Sequence, residues 1–256
     1  MKAHIDDSAL AGRHSFEFML LLATDTSGKN GSIALALLTP GLSDVEIVEV
    51  VPLAGGAFSA QLVPQIAALL EKHRYRKSDL GAFAVVSGPG SFTGLRVGLA
   101  AIKALADALQ KPIAAISLLE AVAWSGTARG IASGRILVAL DAGRGDVYVG
   151  DYELGPRMRM QSERLLSREE FIAEAMGAET KSLEGTQKEV VTPDAVLAAM
   201  VQDAGTQVEL IEYPNAGVIA RLGWERLQRG QTVRPEELEA NYIRHSDAEI
   251  FSKPAP

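Results

Sequence analysis

The stretch SGPGSFTGLRVGLAAIKALADAL, Ser87 to Leu109, constrains this chain more than any other. Four glycines fall in its first half, and the remainder is apolar or small on nearly every side of a helix, with charge only at Arg96, Lys103 and Asp107. A short apolar run, Ala82 to Val86, precedes it and Pro112 closes it, so the segment reads as buried strand, tight loop and helix. A glycine-rich turn entering a helix can offer unpaired N–H groups and a positive dipole end to an anion. It can equally let another element approach closely, because Gly94, Gly98, Ala101 and Ala108 recur at helical steps without bulk. Neither a G-x-x-x-x-G-K-[ST] loop nor a G-x-S-x-G elbow is present.

Around this segment the chain sorts into strands and helices. Phe18 to Thr24 is wholly apolar and reads as a central strand; Asn30-Gly31 turns it into Ser32 to Leu38, and Val45 to Pro52 gives a third strand. Leu62, Ile66 and Leu69 fall at helical spacing within Phe58 to Arg74. With Ile113 to Ser117 the order is strand, strand, strand, helix, strand, helix, strand, which resembles the ribonuclease-H-like module of the actin, Hsp70 and sugar-kinase (ASKHA) superfamily. The expected class is therefore α/β with two such domains. The expected boundaries are a flexible tail over 1–17, an N-terminal domain over 18–117 and a smaller C-terminal domain over 118–212. Residues 213–256 then form a helix (Asn215 to Arg229) and tail returning toward the first domain. The N-terminal domain holds two helices, 58–74 and 91–110. The second unit opens with a helix to Trp124 and a hairpin, Arg135 to Asp141 into Val147 to Leu154, whereas Gly177 to Val191 is weakly patterned.

Several chemistries are excluded by what the 256 residues lack. There is no cysteine, hence no disulfide, thiolate site or cysteine nucleophile, which suits a reducing cytoplasm. The four histidines, His4, His14, His73 and His245, are scattered and form no helical metal pair. A net charge of −7 argues against tight nucleic-acid binding by this chain alone. No apolar run reaches the roughly 18 to 20 residues that span a bilayer.

Three polar features remain. Asp25-Thr26-Ser27-Gly28 ends the first strand where the superfamily places a phosphate loop, yet the same residues are good turn chemistry. Asp141-Ala-Gly follows another apolar strand and mimics a second phosphate loop, so Asp25, Thr26, Ser27 and Asp141 are candidates for a vestigial nucleotide site. Lys72 to Lys77 (KHRYRK) has the composition of an RNA contact and, equally, of a helix C-terminus offsetting its dipole.

Four stretches together resemble the TsaB (YeaZ) family of tRNA threonylcarbamoyladenosine biosynthesis proteins: Leu21 to Leu35, Ser87 to Leu109, Leu137 to Glu153, and RPEELEANYIR from Arg234 to Arg244. The family's usual His-Ser-Glu at the first helix is here Phe58-Ser59-Ala60. The resemblance implies a dimerisation subunit with no catalytic residues, metal or cofactor of its own, which binds the paralogue TsaD, works with the ATPase TsaE, meets tRNA only through that complex, and forms a homodimer when alone. It also implies that the helix pair is the interface, with Leu62, Ile66, Leu69, Thr93, Gly94, Val97, Gly98, Ala101 and Leu105 facing the partner. The alternative from the same superfamily is a self-sufficient ATP- and metal-dependent transferase or kinase.

Overall fold

The computed structural model describes residues 18–38, 45–127, 130, 134–177 and 188–244. The tail over 1–17, with His4 and His14, and the end of the chain from His245 lie outside the described residues.

Two five-stranded sheets with the same plan organise the chain. In the first, β1 (Met19–Asp25), β2 (Gly31–Leu38) and β3 (Glu46–Leu53) form an antiparallel meander, and β4 (Leu80–Gly88) and β5 (Ile113–Ser117) add parallel on the other side, giving the order β3-β2-β1-β4-β5. In the second, β6 (Gly134–Gly143), β7 (Asp146–Leu154) and β8 (Arg159–Ser167) repeat the meander. Parallel β9 (Lys188–Thr192) and β10 (Val208–Leu210) complete it, in the order β10-β9-β6-β7-β8.

Strand β1 shows why a continuous apolar run becomes a central strand. Leu20, Leu21, Leu22 and Ala23 are all fully buried, because the sheet is covered on both faces. The helices α1 (Phe58–Lys72) and α2 (Phe92–Leu109) lie together against it, and α6 (Ala216–Gln228) packs across β1, β2, β4 and β5. Contact with α6 is close at Gly223, where a Cβ would meet that of Ala84 at 2.6 Å. Helix α3 (Leu118–Thr127) touches strands of both sheets, so one apolar core runs from Leu21 and Ile116 through Leu119 and Val122 to Ile136 and Tyr152. Helices α4 (Arg168–Gly177) and α5 (Ala195–Asp203) cover the far side of the second sheet over a separate cluster around Leu137, Val149, Phe171 and Leu197.

After α6 the chain returns as a strap. Val233 bridges to Ile113, the Asn241 N–H donates to the Ser87 carbonyl at 2.8 Å, and Arg244 reaches the Gly143 carbonyl at 3.2 Å and the Asp146 carboxylate. Among the described residues no helix is long and apolar enough to cross a membrane.

Candidate functional site

Strand β1 ends in a turn that closes on itself. The Asp25 Oδ1 accepts from the Ser27 N–H at 2.8 Å and from the Ser27 hydroxyl at 2.5 Å, the local hydrogen bonding for which Asp is favoured in turns. Asp25, Thr26 and Ser27 are 1%, 3% and 2% exposed. Burial raises the Asp25 carboxyl to about 6, and the two Ser27 donors offset only part of that desolvation.

What buries the turn is the glycine block. The Ser91 N–H donates to the Ser27 carbonyl at 2.7 Å, and the Thr26 hydroxyl donates to the Gly94 carbonyl at 2.8 Å. A Cβ on Gly90 would overlap Ser27, one on Gly94 would overlap the Thr26 carbonyl oxygen, and one on Gly98 the Thr26 hydroxyl. The first two turns of α2 therefore lie directly on the Asp25 turn of the same chain. The Ser27 N–H that a phosphate would need is already spent.

The residues expected at the interface on α1 and α2 fall into two environments. Gly94 and Gly98 are buried against their own domain, and Leu62, Ile66 and Leu69 are 1%, 4% and 2% exposed in their own core. None of the five has surface to give a partner. Thr93 is exposed, and Val97, Ala101 and Leu105 are half-buried. Helix α2 carries two rows at four-residue spacing: an inner one, Gly94, Gly98, Ile102 and Ala106, and an outer, exposed one, Ala100, Ala104 and Ala108. Helix α1 adds exposed Val63 and Ala67 beside it. The outer alanines were visible in the sequence as a small residue every fourth position.

Of the candidate vestigial nucleotide site, Asp25, Thr26 and Ser27 share the buried turn, and Asp141 stands apart from them. Asp141 ends up exposed at the close of β6, with Arg168 at 3.4 Å, and it lines a cavity of about 400 Å³ between the sheets. Asp25 does not line that cavity; its carboxylate is inside the turn. Among the described residues no group of three or more His, Asp or Glu could hold a metal ion. The basic cluster is largely committed: Lys72 and His73 both contact Glu49 at 2.7 Å, holding its carboxyl below the usual range, and Arg76 lies 3.6 Å from Asp79.

Two sheets of identical strand order, joined by one core and carrying a closed turn where a phosphate loop would open, define an α/β protein of the actin-like superfamily. A family model described as "TsaD: tRNA N6-adenosine threonylcarbamoyltransferase" matches residues 50–251, and the chain belongs to that family, on its TsaB/YeaZ branch. It is 37% identical over 135 residues to the tRNA threonylcarbamoyladenosine biosynthesis protein TsaB of Bacillus subtilis, a stretch covering 53% of this chain and 56% of the relative. Against the Escherichia coli protein of the same name it is 27% identical over 235 residues, 90% of this chain and 96% of the relative. The solved structure of YeaZ from Pseudomonas aeruginosa superposes with a TM-score of 0.64 at 26% identity, covering 86% of this chain and 99% of that one. A second P. aeruginosa structure, described as similar to peptidase YeaZ, gives a TM-score of 0.69 at 27% identity, with 88% and 100% covered.

Proposed function

We propose that this chain takes part in tRNA threonylcarbamoyladenosine biosynthesis as a non-catalytic subunit. It binds and activates TsaD, which transfers a threonylcarbamoyl group to N6 of the adenosine next to the anticodon in tRNAs reading ANN codons. The names of the relatives support the pathway. The observation that carries the subunit role is the pairing of a filled Asp25 turn with an outward apolar face on α1 and α2. The first crowds the loop where a phosphate would sit; the second is an exposed apolar face, which supports docking of another helix pair. Thr93, Val97, Ala101 and Leu105 belong to that surface with Ala100, Ala104, Val63 and Ala67. In the absence of TsaD the same face brings two copies together about a two-fold axis, and TsaE joins the complex as its ATPase. The self-sufficient ATP- and metal-dependent enzyme has less support, because its two acids are not brought to one cavity.

The test is reconstitution. This chain with tRNA, ATP and threonylcarbamoyl-adenylate should yield no modified tRNA until TsaD, with TsaE, is added; product from the chain alone would refute the reading. Ala104→Arg places a charge on the outer row without touching the core. It should weaken TsaD binding about 10-fold or more while leaving the melting temperature unchanged. Normal binding by this variant, measured by calorimetry, would move the interface elsewhere.

A further inference from the structure

A groove of about 510 Å³ runs along the last turns of α1, where they meet the start of β4. Its apolar wall is made by Val63, Ile66, Ala67 and Leu70 of α1, Leu105 of α2, and Leu80, the first residue of β4. Val63, Ala67 and Leu70 follow one another at steps of four and three, so they share one side of the helix. Val63 is 54% exposed and Ala67 is exposed, which leaves apolar surface uncovered.

The rim of the groove is basic. Arg74, Arg76 and Lys77 line it with one acid, Glu71. Asp79 offsets Arg76 at 3.6 Å, whereas Arg74 and Lys77 make no ion pair among the described residues. Two uncompensated cations therefore face one carboxylate, in a chain whose net charge is −7.

The N-terminal segment of this same chain lies within reach. Strand β1 pairs parallel with β4 so that Leu20 stands beside Leu80, and the chain thus enters the first sheet next to the groove. Met19 packs where a Cβ on Gly81 would stand, and Phe18 is 55% exposed. Upstream, Ile5-Asp6-Asp7-Ser8-Ala9-Leu10 brackets two carboxylates with two large apolar side chains; the other charges before Phe18 are Lys2, Arg13 and Glu17. The linker from Ala11 to Glu17 can span up to about 25 Å. That exceeds the roughly 17 Å of α1 between Val63 and Arg74. A segment tethered this close has an effective concentration on the order of millimolar. It can fill the groove with an affinity too weak to hold a free protein at micromolar concentration.

We propose that Ile5 to Leu10 docks in this groove of its own chain, with Ile5 and Leu10 on the apolar wall and Asp6 and Asp7 at Arg74 and Lys77. Val63, Ala67 and Leu105 also belong to the face proposed for TsaD, so the docked segment excludes a partner from that end of it. The exclusion rests on the TsaD reading; the docking does not.

Paramagnetic NMR on the full chain tests the docking. Because the chain has no cysteine, Ser8→Cys carries a nitroxide at a single site. The amides of Val63, Leu70 and Lys77 should broaden, and those of Leu197 and Val201 on α5 should not. Asp6→Lys with Asp7→Lys keeps the tether and lies outside the folded core; it should cut the broadening at Val63 and Leu70 about 5-fold or more. Ala67→Glu, at an exposed position, should act in the same direction. Equal broadening in the parent and in these variants would reflect the tether alone and overturn the proposal. So would broadening passed equally to isotope-labelled chains mixed with spin-labelled ones, which would make a second copy the occupant. TsaD should bind the Asp6→Lys, Asp7→Lys variant about 3-fold or more tightly than the parent. Equal affinities would overturn the exclusion, while the broadening judges the docking by itself.

Discussion

Asp25 is a carboxylate that the fold buries without a cation. Among the described residues it is held by the N–H and hydroxyl of Ser27, and its carboxyl rises to about 6 from an ordinary 3.8. A folded-state value above the unfolded one means that the native state binds the extra proton. The contribution of this group to stability is therefore greatest below about pH 4, and it declines as pH rises through 6. Two units correspond to roughly 3 kcal/mol, which the native state forgoes at pH 7.5. Asp25→Asn retains an acceptor for Ser27 and carries no charge. Urea denaturation should find the variant more stable than the parent by up to about 3 kcal/mol at pH 7.5, with the gap closing toward pH 4. A gap that stays constant across that range would mean that desolvation of Asp25 is not what sets it.

Helix α2 shows how far an element can be read from its residues. Its bounds, its apolar character and the need for something to approach its glycines closely all follow from spacing. What approaches does not, because Thr26 lies 68 residues before Gly94 in sequence and nothing local records their contact. The outcome is testable with Gly98→Leu. A leucine overlaps the Thr26 hydroxyl, so overpacking of about 1 to 3 kcal/mol should exceed the gain of up to about 1 kcal/mol in helix propensity, and the melting temperature should fall. An unchanged or raised melting temperature would return Gly98 to the partner surface. The first sheet was legible because β1 and β4 are continuous apolar runs and α1 has a clear period. In the second sheet β8, α4, α5 and β10 were not. Helix α4 buries only Phe171 and Ala175, so it has almost no period; β8, with Arg159, Arg164 and Glu163, lies at a sheet edge with no fully buried residue. The site was least legible of all: Asp25 and Asp141 sit in similar strand-end sequences, and only tertiary packing turns one inward and leaves the other exposed.

At the scale of the whole molecule, the two sheets and the strap meet at Glu163. Its Oε1 accepts from the Ser117 hydroxyl at the end of β5 and from the Tyr152 hydroxyl on β7 at 2.5 Å, while its Oε2 accepts from the Asn241 side chain at 3.1 Å. Tyr152 is 1% exposed, and burial beside that carboxylate drives its hydroxyl far above its ordinary value, so it remains a donor. Arg226 on α6 adds a 2.5 Å contact to Glu120 on α3, and Arg244 closes the strap on Asp146. Because a half-satisfied polar network is worse than none, Glu163→Ala should cost about 2 to 4 kcal/mol by orphaning the Ser117 and Tyr152 hydroxyls. Glu163→Gln, which keeps an acceptor, should cost less. The larger consequence is mechanical, since this carboxylate ties β5 of the first sheet to β7 and β8 of the second. The chain has no cysteine, so spin labels can be attached at two engineered sites alone, Ser59→Cys on α1 and Gln202→Cys on α5, both exposed. The distance distribution between them should be narrow in the parent and in Glu163→Gln and broaden in Glu163→Ala. A distribution that stays narrow in a destabilised but folded Glu163→Ala would mean that the shared core around α3, rather than this hydrogen-bonded node, sets the angle between the sheets.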